Sequence, residues 1–244
     1  MSASTPPGAV EFGGRSEFYD LAALAEARRL ADWMFSQFAS AVGPSAAEIG
    51  PGLGTFSDRI LASGVHELVL VEPAPAAADH LRGRFGDDSR VTVTAETLPG
   101  ASALTPGRFD FVLAQNVLEH IADDGAAAAE VARSLRPGGR FGVLVPAHPR
   151  LYSALDGAYG HHRRYTRQRL RGILEDAGLD VVDLHAFNLL GVAGWWAKKV
   201  TRSTHLDTRS LRAYEALVRL WRPVEQRVSL PWGLSLVAVA ERPA

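Results

Sequence analysis

The chain has no cysteine in its 244 residues. Disulfides, thiolate metal sites and a cysteine nucleophile are therefore excluded. No sign of charge prevails: 26 Lys and Arg stand against 27 Asp and Glu, a net charge of −1. That balance gives no overall attraction to nucleic acid, which is not expected as a partner. No apolar run approaches the roughly 18 residues of a spanning helix, and no basic start leads into a short apolar stretch. The expected location is the cytoplasm. What is present is 47% hydrophobic content in a chain long enough for one full α/β core.

The most informative stretch is Ala47-Glu48-Ile49-Gly50-Pro51-Gly52-Leu53-Gly54-Thr55, an acid and then three alternate glycines at the end of an apparent buried strand. Glycines there let the backbone turn through positive φ and pass close beneath a ligand on its way into a helix. A dinucleotide fingerprint reads G-x-G-x-x-G. Here the spacing is G-x-G-x-G, with Glu48 placed to meet a cationic or amino-acid tail rather than a pyrophosphate. The stretch Leu68-Val69-Leu70-Val71 then reads as a central parallel strand ending in Glu72, an acid that can accept from both ribose hydroxyls. Val91 to Thr94 reads as a third strand closed by Ala95-Glu96-Thr97-Leu98-Pro99, and Phe109 to Ala114 as a fourth closed by Gln115-Asn116. Ligands of open α/β sheets bind at such carboxyl ends, near the point where strand order reverses.

With these motifs in order, followed by Asn116-Val117-Leu118-Glu119-His120-Ile121 and Leu135-Arg136-Pro137-Gly138-Gly139-Arg140, the chain resembles the class I S-adenosylmethionine-dependent methyltransferases over roughly residues 15 to 150. The resemblance implies a Rossmann-like three-layer sandwich: a seven-stranded, mostly parallel sheet with a reversed last strand. It implies S-adenosylmethionine as cofactor, with S-adenosylhomocysteine as product. Glu48, Gly50, Pro51, Gly52 and Gly54 would hold the methionine moiety, Glu72 and Pro73 the ribose, and Ala95, Glu96 and Thr97 the adenine. Gln115, Asn116 and Val117 would line the space beside the transferred methyl, and Tyr19 is a candidate lid contact. Base-modifying members of the superfamily carry Asp-Pro-Pro-Tyr or Asn-Pro-Pro-Tyr to hold a flipped amine, and this chain does not.

Around this core, residues 1 to 14 are rich in Pro, Gly and Ser and are expected to be a disordered tail, with a single domain over 15–244. Phe18 to Ala41 shows helical spacing of apolar residues. Gly125 to Leu135 reads as a helix capped by Asp123 or Asp124 and stopped by Pro137-Gly138-Gly139, which start a strand over Phe141 to Val145. A helix from Arg167 to Ala177 ends at Gly178, and Asp180 to Phe187 and Ser235 to Ala240 supply the last two strands. The 188–232 connection is too long for a hairpin and is expected to be a helical cap. From Ala186 to Gly233 it holds eight Lys or Arg, three acids and four of the five tryptophans. A solvated basic face is the first reading of that cap; contact with a membrane or a lipid-linked substrate is the second.

Two clusters bear on catalysis. Glu119 and His120 follow the fourth strand. Some quinone-type O-methyltransferases, which this stretch resembles, have a glutamate where Asn116 stands and use it with the Glu-His pair to hold a divalent metal. An amide is a weaker ligand for a hard cation, so the reading taken is that Glu119 and His120 orient the turn, with no metal expected. The second cluster, Asp156-Gly157-Ala158-Tyr159-Gly160-His161-His162-Arg163-Arg164-Tyr165-Thr166, follows the fifth strand. There Tyr152, Asp156, His161, Arg163, Arg164 and Tyr165 are candidate acceptor contacts, the arginines suiting a carboxylate or phosphate. The expected chemistry is in-line displacement at the sulfonium methyl by an oxygen or nitrogen of a small-molecule, sugar or lipid-linked acceptor. His161 is the first choice of base, then His120, then His148. The alternatives are cyclisation or aminopropyl transfer on the same cofactor, and a non-catalytic cofactor-binding protein.

Overall fold

The computed structural model describes residues 27–201, 208–225, 227–228 and 231–244. The tail over 1–14, Tyr19 and the start of the first amphipathic segment lie outside the described residues. Seven strands form one sheet: β1 (Ser45–Ile49), β2 (Glu67–Val71), β3 (Val91–Thr94), β4 (Phe109–Gln115), β5 (Leu135–Pro146), β6 (Asp180–Phe187) and β7 (Ser235–Glu241). Their order is β3-β2-β1-β4-β5-β7-β6. All neighbours pair in parallel except β7, which runs antiparallel to both β5 and β6. The reversed last strand expected from the resemblance is therefore present, and strand order switches between β1 and β4, where a ligand crevice forms.

Strands covered on both faces read as continuous apolar runs, and alternate residues divide between two cores. Ala47, Ile49, Val69, Val71, Val112, Ala114, Val143 and Val145 pack with α4 (Asp124–Ser134) and α6 (Arg167–Asp176). Leu68, Leu70, Phe111, Leu113 and Leu144 pack against α1 (Arg28–Phe35), α2 (Ser57–Ala62) and α3 (Pro75–Phe85). The capping signals hold locally. Asp123 accepts from Ala126 N at 2.9 Å to start α4, and Thr166 accepts from Arg169 N at 3.1 Å to start α6.

Two boundaries differ from expectation. β5 begins at Leu135 rather than Phe141, because Pro137-Gly138-Gly139 do not precede the strand but sit inside it; its register against β4 slips between Phe109 and Phe111 to take up the extra residues. The Asp156–Thr166 stretch is not all loop: α5 (Ala154–Ala158) opens it, with Ser153 and Asp156 forming a reciprocal capping box.

Among the described residues, the long connection contains two helices, α7 (Leu189–Thr201) and α8 (Thr208–Glu225). Val218 is buried and Tyr214 and Trp221 pack beside it in the second core, whereas Leu217 is 49% exposed. Three acids and amides fasten the insertion. Glu215 accepts from the first-turn amides of α1, Leu30 N at 2.7 Å and Arg29 N at 3.3 Å. Glu225 accepts from Leu189 N at 3.1 Å, Trp221 Nε1 at 2.7 Å and Asn188 N, and the Tyr214 hydroxyl donates to Asn188 Oδ1. No helix among the described residues is long and apolar enough to cross a membrane.

Candidate functional site

Among the described residues, three non-glycine residues have positive φ, and each directly follows or nearly follows a strand: Asn116 (φ 52°) after β4, His148 (φ 59°) after β5 and Asn188 (φ 66°) after β6. Such conformations are uncommon outside glycine and cluster where a ligand is shaped. All three lie on the carboxyl edge that also carries the glycine turn. Gly50, Gly52 and Gly54 have φ of 63°, 57° and 79°. A Cβ on Gly50 would stand 2.7 Å from Val117 Cγ2, so the turn after β1 packs directly against the segment after β4.

Glu48 is 3% exposed and accepts from the Ser57 hydroxyl at 2.5 Å. Burial pushes its carboxyl up to about 8, against the pull of the Ser57 bond and with help from the neighbouring charge of Glu72. Glu72 accepts from Gly52 N and Ala74 N, both at 3.0 Å. Burial raises its carboxyl above the usual range in spite of those two bonds. Each carboxylate oxygen keeps a second lone pair for a ligand hydroxyl. Gln115 Oε1 is buried without a partner among the described residues. A buried acid against a left-handed glycine turn, with an orphaned amide oxygen across the crevice, fits a nucleoside with a cationic tail. Pro51 is buried in the turn, while Pro73, Ala95 and Thr97 are exposed at the strand ends. Glu96 is turned toward the following loop: it accepts from Ser102 N at 3.2 Å, Ala103 N at 3.1 Å and the Ser102 hydroxyl, which holds it below the usual range.

Beyond Asn116 the chain makes a single 3-10 turn over Leu118–His120, and His162 N donates to Glu119 O at 2.8 Å, tying this turn to the loop after α5. Glu119 is 0% exposed, and neither carboxylate oxygen has a partner on another described residue. Burial pushes its carboxyl up to about 8, against its own backbone N–H and the charge of Arg164. His120 is exposed at one edge and meets His161 edge-to-face with ring centroids 4.7 Å apart. Desolvation, then the charges of His161 and His162, hold His120 down at about 4. The donor atoms of Glu119, His120 and His161 all lie within 4.8 Å of one another.

His161 Nδ1 lies 3.0 Å from Asp156 Oδ1. Asp156 is buried and also accepts from Arg164 Nε at 2.7 Å, Ser153 N at 2.8 Å and Ser153 Oγ at 2.9 Å. Burial would raise its carboxyl, but the bonds from His161 and Arg164 prevail and hold it low. Arg164 is 3% exposed, donates also to Ala147 O at 3.1 Å and lies over the Trp195 ring at 4.5 Å. Arg163 reaches Ala122 O at 2.8 Å and Asp124 at 2.9 Å. Tyr165 is buried with its hydroxyl donating to Asp124 at 2.8 Å. The two arginines and Tyr165, expected to meet an acceptor, are thus engaged by internal carboxylates that the same segment and α4 supply. Tyr152 is exposed and its hydroxyl donates to His161 O at 2.7 Å. His148, the third catalytic candidate, is stacked on Trp232 at 4.6 Å, and burial lowers its affinity for a proton.

The chain matches the family described as methyltransferase domain over residues 17–184. It is similar to an uncharacterized methyltransferase of Mycobacterium tuberculosis, 30% identical over 144 residues that make up 59% of this chain and 55% of that one. A ubiquinone biosynthesis O-methyltransferase of Aeromonas salmonicida is 26% identical over 169 residues, 63% of this chain and 70% of that one. The chain therefore spans about half the length of the mycobacterial relatives it matches. In fold it resembles geranyl diphosphate C-methyltransferase from Streptomyces coelicolor, solved with Mg2+, geranyl diphosphate and S-adenosylhomocysteine, at 17% identity and a TM-score of 0.64 over 96% of this chain and 87% of that one. On the glycine turn, the reversed seventh strand and the match over 17–184, the chain belongs to the class I S-adenosylmethionine-dependent methyltransferases.

Proposed function

We propose that the chain transfers a methyl group from S-adenosylmethionine to an oxygen of a small-molecule, sugar or lipid-linked acceptor, with Glu119, His120 and His161 as the acceptor-side cluster. The observation that carries this reading is the buried, unpartnered carboxylate of Glu119 beside two histidines, one turn beyond Asn116 and so next to the crevice between β1 and β4. Bound at the glycine turn, the cofactor supplies a methyl group already activated as a sulfonium. The protein's part is alignment and removal of the acceptor's proton.

Glu48 faces the cationic tail, Glu72 accepts from the ribose hydroxyls, Ala95 to Thr97 border the adenine, and Gln115 to Val117 flank the methyl. His161 is the central member of the acceptor cluster. Asp156 sets its tautomer through Nδ1, and the ring meets His120 edge-to-face. The outward side of the insertion, with Trp196, Leu220 and Trp232 exposed and Arg219 and Arg222 nearby in sequence, supports an acceptor carried on a lipid.

The test is incubation with methyl-labelled S-adenosylmethionine and panels of hydroxylated and amine acceptors. S-adenosylhomocysteine together with a methylated hydroxyl product is expected. Methylthioadenosine would assign aminopropyl transfer instead, and a labelled amine would move the acceptor atom to nitrogen. His161→Ala is expected to lower kcat by about 10²- to 10⁴-fold, the usual contribution of a positioned group that assists removal of the acceptor's proton.

A further inference from the structure

We propose that Glu119, His120 and His161 hold one divalent transition ion of the zinc class, with a coordination position left open to the acceptor's hydroxyl oxygen. This rests on the reading that an acceptor is methylated at this edge of the sheet.

The donor set is one carboxylate oxygen and two imidazole nitrogens within 4.8 Å of one another. Zinc takes such ligands at about 2.0–2.2 Å, and two histidines with one glutamate leave a position free for water or substrate. Donors around such an ion stand a little over 3 Å apart, about one side-chain adjustment closer than they are here. The nitrogen content favours zinc, cobalt, nickel or iron over the all-oxygen preference of calcium and magnesium. His161 supplies the third donor. It comes from a separate loop, which the bond from His162 N to Glu119 O fixes beside the first.

Two independent features point to a cation. Glu119 is 0% exposed, yet neither of its carboxylate oxygens has a partner on another described residue. Buried carboxylates left bare in this way are costly, and a cation satisfies them. His161, in turn, has Asp156 at its Nδ1, the arrangement in which a carboxylate orients an imidazole so that the opposite nitrogen presents its lone pair to a metal. Asp156 is itself immobilised by Arg164 and Ser153. The exposed edge of His120 gives the ion and the acceptor a way in from solvent. A hydroxyl oxygen in the open position loses its proton to bulk water at lower pH than it would free in solution.

The experiment uses the untagged full chain, stripped with a chelator and titrated with Co2+ followed by visible absorption, and with Zn2+ followed by calorimetry. One ion per chain with Kd on the order of 1 μM or tighter is expected. Glu119→Gln, His120→Ala and His161→Ala should each weaken it by about 10- to 100-fold or more, and Asp156→Asn by about 10-fold. His185→Ala, which removes a histidine bound to Asp183 and Gln37, should leave it unchanged. S-adenosylhomocysteine affinity in each variant reports whether the fold is kept. Absence of the cobalt band in wild type, or an affinity that survives all three ligand substitutions, overturns the proposal. Full methyl transfer by the stripped protein overturns it too while leaving the methyltransferase reading intact; failure to bind S-adenosylhomocysteine would instead bring down that reading.

Discussion

One oxygen of Asp156 serves both His161 and Arg164: Oδ1 lies 3.0 Å from His161 Nδ1 and 2.7 Å from Arg164 Nε. The orientation of the candidate catalytic histidine is therefore tied to a buried ion pair. Removing one charge of such a pair leaves the other uncompensated, at a cost of about 3–5 kcal/mol. Asp156→Asn is expected to lose stability in that range in urea denaturation. Pairing it with Arg164→Met should lose clearly less than the sum of the two single variants, because no bare charge remains.

Gly50 is a tight point of the cofactor turn, with φ at 63° and Val117 Cγ2 standing 2.7 Å from where a Cβ would be. Gly50→Ala must both strain the backbone and displace the segment that leads to Glu119. The expected result is a loss of S-adenosylhomocysteine affinity of at least about tenfold by calorimetry, with a stability cost of about 1–3 kcal/mol.

Glu48 gives a pH signature. Its carboxyl is raised in the fold from 4.5 to about 8. Below 4.5 both folded and unfolded chains are protonated there. Between 4.5 and 8 the unfolded chain ionises while the fold keeps its proton, so this group's contribution to stability falls as pH rises through that window and levels off above it. Glu48→Gln should flatten the decline in Tm between pH 5 and pH 8 in the ligand-free protein. A cationic tail placed beside Glu48 favours its ionised form, so cofactor binding at pH 7 should release up to one proton. Calorimetry in buffers of different ionisation enthalpy reads that release, and Glu48→Gln should abolish it.

Glu215 fastens the insertion by accepting from Arg29 N and Leu30 N at the start of α1, where the N-cap residue Ala27 supplies no side-chain cap. Glu215→Ala should cost about 1–2 kcal/mol, the usual value of a lost N-terminal cap. The loss should show as a lower Tm in scanning calorimetry and as faster amide exchange in α1 and α8 together.

Several strands were readable as short stretches rich in β-branched and apolar residues that are followed by a small or polar residue: Val91–Thr94, followed by Ala95, and Asp180–Phe187, followed by Asn188, have the expected bounds. The cofactor edge was readable because Gly50 to Gly54 and Glu72 sit at fixed places relative to those ends. The acceptor side was legible in residue type but not in role. Arg163, Arg164 and Tyr165 look like ligand contacts in one dimension, and only three-dimensional packing pairs them with Asp124 and Asp156. Glu119 and His161 are far apart in sequence, and the bond from His162 N to Glu119 O that joins their loops leaves no periodic trace. The same holds for Glu215, which reaches α1 from 185 residues away.

The central claim is that the edge from Gly50 to Asn116 is an S-adenosylmethionine site. Calorimetric titration of the chain with S-adenosylhomocysteine tests it most directly, alongside Gly50→Ala and Glu72→Ala. Saturable binding of one ligand per chain, lost or weakened by at least about tenfold in both variants, a difference of about 1.4 kcal/mol or more, is the expected result. Binding that is absent in the wild type, unchanged by both substitutions, or displaced by NADH would contradict the account.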